Sequence, residues 1–246
     1  MRTYKEITTE SKVKHLVSSL LSAGTTNTKT AKNKGITFIL YIAPHRMNNK
    51  DINLCAGASE GCIFSCLYSA GRGKFNNVQQ ARINKANYYV NDKKAFVLHL
   101  ATEIRNKAKY HAKKGNDLFF RLNGTADLDL VYMLKKYANL DIADFKNVQF
   151  YDYTKIQGKA IKYVNHPNYT VAFSRSENNE NKCLEVLKSG GTVAIVFRNE
   201  LPKTWNGYKV VDGDKSDLEM IKHKNVVLGL KAKGEGKKDI SGFVVD

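Results

Sequence analysis

The feature that most constrains the fold is a rhythm of seven short apolar runs, each closed by polar residues and most followed by a helical stretch. The runs are Ile36–Ala43, Leu118–Leu122, Val148–Tyr151, Tyr169–Phe173, Val193–Phe197, Tyr208–Val211 and Val226–Leu230. The first, I-T-F-I-L-Y-I-A, is almost continuously apolar, rich in β-branched and aromatic residues, and stopped by Pro44. Such a run reads as a strand covered on both faces, the kind parallel sheets use. Helical spacing marks Val78–Val90, Lys93–Lys114, Leu128–Tyr137, Lys155–Val164 and Asn178–Ser189. Strands alternating with helices imply βα units and a parallel sheet. We expect an α/β fold: a single TIM-like β/α barrel, complete or incomplete, of about six to eight mostly parallel strands, in preference to an open doubly wound sheet. Residues 35–246 read as one domain, and residues 1–34 as an N-terminal helix, about Ser11–Ser22, followed by a polar loop packed on it.

With 246 residues the chain can bury an ample core without disulfides, which leaves its four cysteines available for chemistry. No apolar run approaches the roughly 20 residues that cross a bilayer, and the N-terminus lacks the hydrophobic segment of a signal peptide. The expectation is a protein of a reducing cytoplasm, where thiolates persist. Forty Lys and Arg against 23 Asp and Glu give a formal charge of +17, which favours polyanionic partners such as nucleic acid or nucleotides.

Three of the four cysteines fall in the stretch Asn53–Phe75, which reads N-L-C-A-G-A-S-E-G-C-I-F-S-C-L-Y-S-A-G-R-G-K-F. Cys55, Cys62 and Cys66 are spaced C-x6-C-x3-C, and the glycines among them let a loop fold tightly enough to aim three thiolates at one point. Soft thiolates suit an iron–sulfur cluster or zinc, and three ligands leave one position for a further group. His45, just past the first run, is the candidate fourth ligand or proton donor. Cys183 lies among Leu184 and Leu187 and reads as core.

In parallel α/β folds the ligand site lies at the C-terminal ends of the strands. Those ends are polar here: R-L-N-G-T-A-D, Y-D-Y-T-K, F-S-R-S-E-N, F-R-N-E, V-D-G-D and L-K-A-K-G. If one sheet holds them, Asn123, Asp127, Asp152, Lys155, Ser174, Arg175 and Asp212 meet on one rim, which the cysteine loop also joins.

The order of strand, three-cysteine loop, helix and second strand ending in Asn123-Gly124-Thr125 resembles the radical S-adenosylmethionine superfamily, although that superfamily's usual spacing is C-x3-C-x2-C. The stretches C-A-G-A-S-E-G-C-I-F-S-C-L-Y, R-L-N-G-T-A-D, F-Y-D-Y-T-K, F-S-R-S-E-N, V-V-D-G-D and G-L-K-A-K-G are together similar to a family of phage proteins, which implies a phage source and a host-cell cytoplasmic setting. The superfamily resemblance implies a [4Fe–4S] cluster on Cys55, Cys62 and Cys66, with S-adenosylmethionine on its open iron and Asn123, Gly124 and Thr125 near the methionine amino group. On this reading Phe64 or Tyr68 meets the adenine. Asp127, Ser174, Ser176 and Asp212 complete the binding rim, and Asp152, Lys155 and Arg175 are the catalytic candidates. The other reading is a non-catalytic module, stapled by zinc or a cluster, that binds host protein or nucleic acid.

Overall fold

The computed structural model describes residues 17–26 and 35–246. The first half of the expected helix over Ser11–Ser22 lies outside the described residues, and its second half, from Val17 to Ser22, forms no helix. Leu21–Ala23 is instead strand β1, antiparallel to β2 (Ile36–Leu40), with Leu21 opposite Leu40. Tertiary contacts override the local spacing. The buried Lys85 ammonium donates to the Leu20 carbonyl at 2.7 Å, and Glu103 accepts the Leu20 and Leu21 N–H groups at 2.6 and 3.0 Å.

All seven apolar runs form strands. After β2 they are β3 (Leu118–Arg121), β4 (Val148–Thr154), β5 (Tyr169–Ser174), β6 (Thr192–Phe197), β8 (Tyr208–Asp212) and β9 (Val227–Lys231). Two short strands, β7 (Thr204–Trp205) and β10 (Val244–Val245), complete the set. The helices are α1 (Glu60–Phe64), α2 (Asn76–Asn91), α3 (Lys93–Lys113), α4 (Leu130–Ala138), α5 (Gln157–Lys162), α6 (Glu180–Lys188) and α7 (Glu219–Lys222). Among the described residues no helix is long and apolar enough to cross a membrane.

The sheet runs β1-β2-β3-β4-β5-β6-β9-β8-β7, and every pairing from β2 to β8 is parallel. The expected α/β architecture with a mostly parallel sheet is present, but the sheet does not close into a complete barrel: it is open. The antiparallel strands β1 and β7 occupy its two edges, so the outer parallel strands β2 and β8 have no way to meet. Both edge strands are very short, which limits edge-to-edge pairing with other chains. From β2 to β6 the strands follow sequence order without a switch point, and right-handed crossovers then place the connecting helices on one face.

Alternation along the strands sorts the core into two layers. On the helix side Leu118, Phe120, Phe150 and Val171 pack with Phe96, Leu100 and Ile104 of α3, while Phe173, Val193 and Ile195 pack with Cys183, Val186 and Leu187 of α6. Cys183 is thus core, as its apolar setting predicts. The opposite face, with Tyr151, Ala172, Ala194 and Leu228, is covered by Leu218 and Met220 from the connection between β8 and β9. Beneath that cover the buried Asp217 carboxylate accepts from Arg121 at 3.4 Å and from the Tyr151 hydroxyl at 3.2 Å.

The C-terminus finishes the sheet where β5 leaves it. β5 pairs with β6 as far as Ser174 opposite Ala194, and β10 then pairs parallel with Val196 and Phe197. This brings residues 239–246 over the C-terminal ends of the central strands.

Candidate functional site

The cysteine segment leaves β2 and folds over the ends of β3, β4 and β5. Its entry is fixed by backbone bonds: Leu54 N–H donates to the His45 carbonyl at 2.9 Å, and Asp127 N–H donates to the Leu54 carbonyl at 3.0 Å. The His45 N–H points at Cys55 Sγ, 3.3 Å away, so the histidine meets the cysteine through its backbone. Cys55 Sγ is also 3.8 Å from the Thr125 carbonyl. Gly57 passes so close that a Cβ there would stand 2.7 Å from the Lys155 carbonyl oxygen.

Cys62 rides on α1, whose first turn is capped by Ser59 Oγ accepting the Cys62 N–H at 3.3 Å. Glu177, just past β5, accepts from Ser59 Oγ at 2.7 Å and from the Gly61 N–H at 3.0 Å. A carboxylate at a helix N-terminus is favoured by the unpaired N–H groups there. Gly61 is hemmed in from the other side, since a Cβ would lie 2.7 Å from Phe243 Cβ. Cys66 follows the helix, and Arg82 of α2 reaches behind it to donate to the Tyr68 carbonyl at 2.9 Å, with its guanidinium over the Tyr41 and Tyr68 rings.

Asp127 ties two strand ends together. It accepts from Thr154 Oγ1 at 2.8 Å, from the Lys155 N–H at 2.7 Å and from the buried Lys159 ammonium at 3.1 Å. The Lys155 side chain crosses to the end of β5, donating to the Arg175 carbonyl at 3.0 Å with its ammonium 4.8 Å from the centre of the Phe243 ring. Arg175 donates in turn to the Gly242 carbonyl at 2.6 Å. The loops after β2, β3, β4 and β5 and the C-terminal segment therefore form one assembly around the cysteines.

Its electrostatics set the thiols apart from ordinary surface cysteines. Burial, partly offset by the His45 N–H and reinforced by negative charge on Cys66, Asp127 and Cys62, pushes the Cys55 thiol up to about 12. Burial also raises Cys62, against the pull of the Lys155 ammonium, and raises Cys66, against the Tyr68 N–H and the Arg82 charge. All three thiols hold their protons at neutral pH unless a cation replaces them.

The gene product 88 family matches this sequence over residues 19–246. The chain belongs to that family. No curated protein and no solved structure matches it. Gene product 88 is a phage-type designation, and the phage source implied by the motifs is consistent with the match.

In this gene product 88 protein the rim candidates separate into groups. Gly124, Thr125, Asp127, Lys155, Ser174 and Arg175 lie within the assembly; Gly124 is pressed against β2, with its N–H donating to the Leu40 carbonyl at 2.9 Å. Asp152 is fully buried beneath, accepting the Asn123 N–H at 2.6 Å, the Asn123 amide at 3.0 Å and the Tyr169 hydroxyl at 2.9 Å. It holds the Asn123 loop in place from inside the sheet. Ser176 is buried in the turn before α6, its N–H donating to Asn179 at 2.6 Å. Asp212 stands at the end of β8, beyond β9, accepting the Asp214 N–H at 2.9 Å in a separate turn. Phe64 is exposed, whereas Tyr68 is buried.

Glu177, Lys159 and Arg82 carry much of the assembly and were not marked as site residues by the sequence. For Glu177 a signal existed in the polar end of its strand; for Arg82, mid-helix, none did.

The donor set bears directly on the cluster that the motif order suggests. Among the described residues no three His, Cys, Asp or Glu side chains are grouped as a single ion requires. A [4Fe–4S] cluster binds one thiolate at each of three corners and accepts ligands set wider apart than one ion does. Buried polar atoms are normally paired. Ser65 Oγ, Tyr68 Oη and Arg82 Nε, on the residue before Cys66, the residue two after it and the arginine packed on the Tyr68 ring, are buried with no hydrogen-bond partner. Three half-buried thiols that stay protonated until a cation displaces the proton, beside unpaired polar atoms, suit a bound group that is cationic at its core and polar at its edge.

Proposed function

We propose that this protein is an iron–sulfur enzyme of radical S-adenosylmethionine type, with Cys55, Cys62 and Cys66 as the ligands of a [4Fe–4S] cluster. The observation that carries the reading is adjacency: the three-cysteine segment follows the first parallel strand, and Thr125, after the second, lies against Cys55 Sγ at 3.8 Å. When bound, the cluster supplies an electron and S-adenosylmethionine supplies the radical chemistry, while the protein positions both. The chain's own residues have definable tasks in this scheme. Asp152 and Tyr169 lock the Asn123 loop, and Asp127 joins that loop to the backbone of Lys155. Lys155 lies beside Cys62, where its ammonium favours a thiolate. Arg175 and Phe243 bring the C-terminal segment over the site and exclude water.

Anaerobic purification followed by iron, sulfide and zinc analysis tests this. Brown protein with iron and sulfide, bleached by Cys62→Ala, supports it. Colourless protein with stoichiometric zinc and no sulfide would replace it by the metal-stapled module.

A further inference from the structure

We infer that the outer surface of the cysteine segment binds a single-stranded nucleic acid, which makes such a strand the substrate or template presented to the site proposed above. This rests on that proposal only for the word substrate; the binding surface stands on its own observations.

Exposed large hydrophobic side chains concentrate in this one segment: Met47, Ile52, Ile63, Phe64, Leu67 and Phe75. Two are phenylalanines more than half exposed, Phe64 at 54% and Phe75 at 59%, and between them stand the exposed cations Arg72 and Lys74. Folding brings a second basic segment beside them. The short helical turn Gly234–Lys238 lies against the loop, with Gly236 approaching Ser65 so that a Cβ would sit 3.5 Å from the serine Cβ, and Gly234 likewise 3.8 Å from Ala70. Lys231, Lys233, Lys237 and Lys238 on and around this turn are exposed.

Over residues 46–76 and 231–240 there are eight Lys and Arg against four Asp and Glu. Pairing absorbs part of this charge, through Arg46 with Asp51, Lys233 with Asp214 and Lys238 with Glu235. The excess that remains surrounds an aromatic surface. An apolar protein partner would be served by the hydrophobic side chains alone, and a duplex by the cations alone. Flat rings interleaved with cations match a strand whose bases are unpaired, since each base stacks on a ring while its phosphate meets a cation.

The test uses the full chain and fluorescein-labelled oligo(dT), oligo(U) and a DNA duplex of equal length, with binding followed by anisotropy over a range of salt. The single strands should bind and the duplex should bind more weakly. Phe64→Ala and Phe75→Ala should each weaken single-strand binding by about tenfold at every salt concentration. Arg72→Ala and Lys74→Ala should instead flatten the plot of log affinity against log salt, by about 0.7 for each phosphate no longer neutralised. Comparison of oligo(dT) with oligo(U) tells DNA from RNA. These four side chains are exposed, so unchanged melting curves serve as the folding control. No binding at low salt, preference for the duplex, or affinities untouched by all four substitutions would overturn the inference. Iron content is read separately: iron-loaded protein that ignores the oligonucleotides sinks this inference alone, and iron-free protein that binds them with the predicted variant effects sinks only the cluster.

Discussion

Glu177, at the end of β5, accepts hydrogen bonds from Ser59 Oγ at 2.7 Å and from the Gly61 N–H at 3.0 Å, and so fastens the helix that carries Cys62 to the middle of the sheet. The partners are far apart in sequence, so these two bonds join the cysteine segment to a strand end that only the folded sheet brings near it.

Replacement of Glu177 by Gln should lower stability by about 1–2 kcal/mol at pH 7, because two bonds to a charged, partly exposed acceptor are weakened. Burial works to raise the Glu177 carboxyl, but the Ser59 and Gly61 donors and the Lys155 charge outweigh it and hold it below its ordinary 4.5. A carboxylate depressed by folding stabilises the native state above its unfolded value, and that stability is lost as pH falls through the folded value. The difference between wild type and Glu177→Gln should therefore be full above about pH 5 and shrink below pH 4.5, as urea titrations at several pH values would register.

Asp152→Ala should be far more damaging than its position near a strand end suggests. It strands three donors, the Asn123 N–H, the Asn123 amide and the Tyr169 hydroxyl, in a fully buried setting. At about 1–3 kcal/mol for each orphaned group the loss is at least roughly 3 kcal/mol. Chemical denaturation reads it directly, and a loss under about 1 kcal/mol would contradict the assigned anchoring role.

The misplacement of Asp152 shows where sequence reading reaches its limit. The apolar run Val148–Tyr151 ends just before it, so the aspartate looks like the first rim residue; β4 in fact continues to Thr154. Alternation then turns Asp152 inward with Phe150, and the true rim begins at Lys155. The buried strands and long helices were legible because apolar runs and helical spacing follow from the burial they serve. Strands β1, β7 and β10 were not legible, since two or three residues carry no period and their pairing depends on distant contacts. Cysteine spacing pointed to the loop, and parallel topology to Asp127, Lys155 and Arg175 beside it. Nothing in the spacing could show that the C-terminal residues Gly242 and Phe243 close over them.

Thiol labelling should divide the cysteines by environment. In metal-free folded protein Cys55, Cys62 and Cys66 are half-buried and hold raised pKa values, with Cys55 pushed up to about 12, so iodoacetamide should react slowly at pH 7 and faster as pH rises. Cys183 is wholly buried in the core and should remain unmodified until the protein unfolds. Peptide mass spectrometry after timed labelling separates the four sites. Rapid labelling of Cys183 in the native state would contradict the packing of α6 on β5 and β6.

What the three thiols hold is read most directly by metal analysis. Wild-type protein purified without oxygen, alongside Cys55→Ala, Cys62→Ala and Cys66→Ala, should be assayed for iron, acid-labile sulfide and zinc. Iron and sulfide should be present in equal amounts approaching four of each per wild-type chain, with a sharp fall in every single variant. Zinc at one per chain without sulfide, or iron that survives all three substitutions, would contradict the cluster assignment.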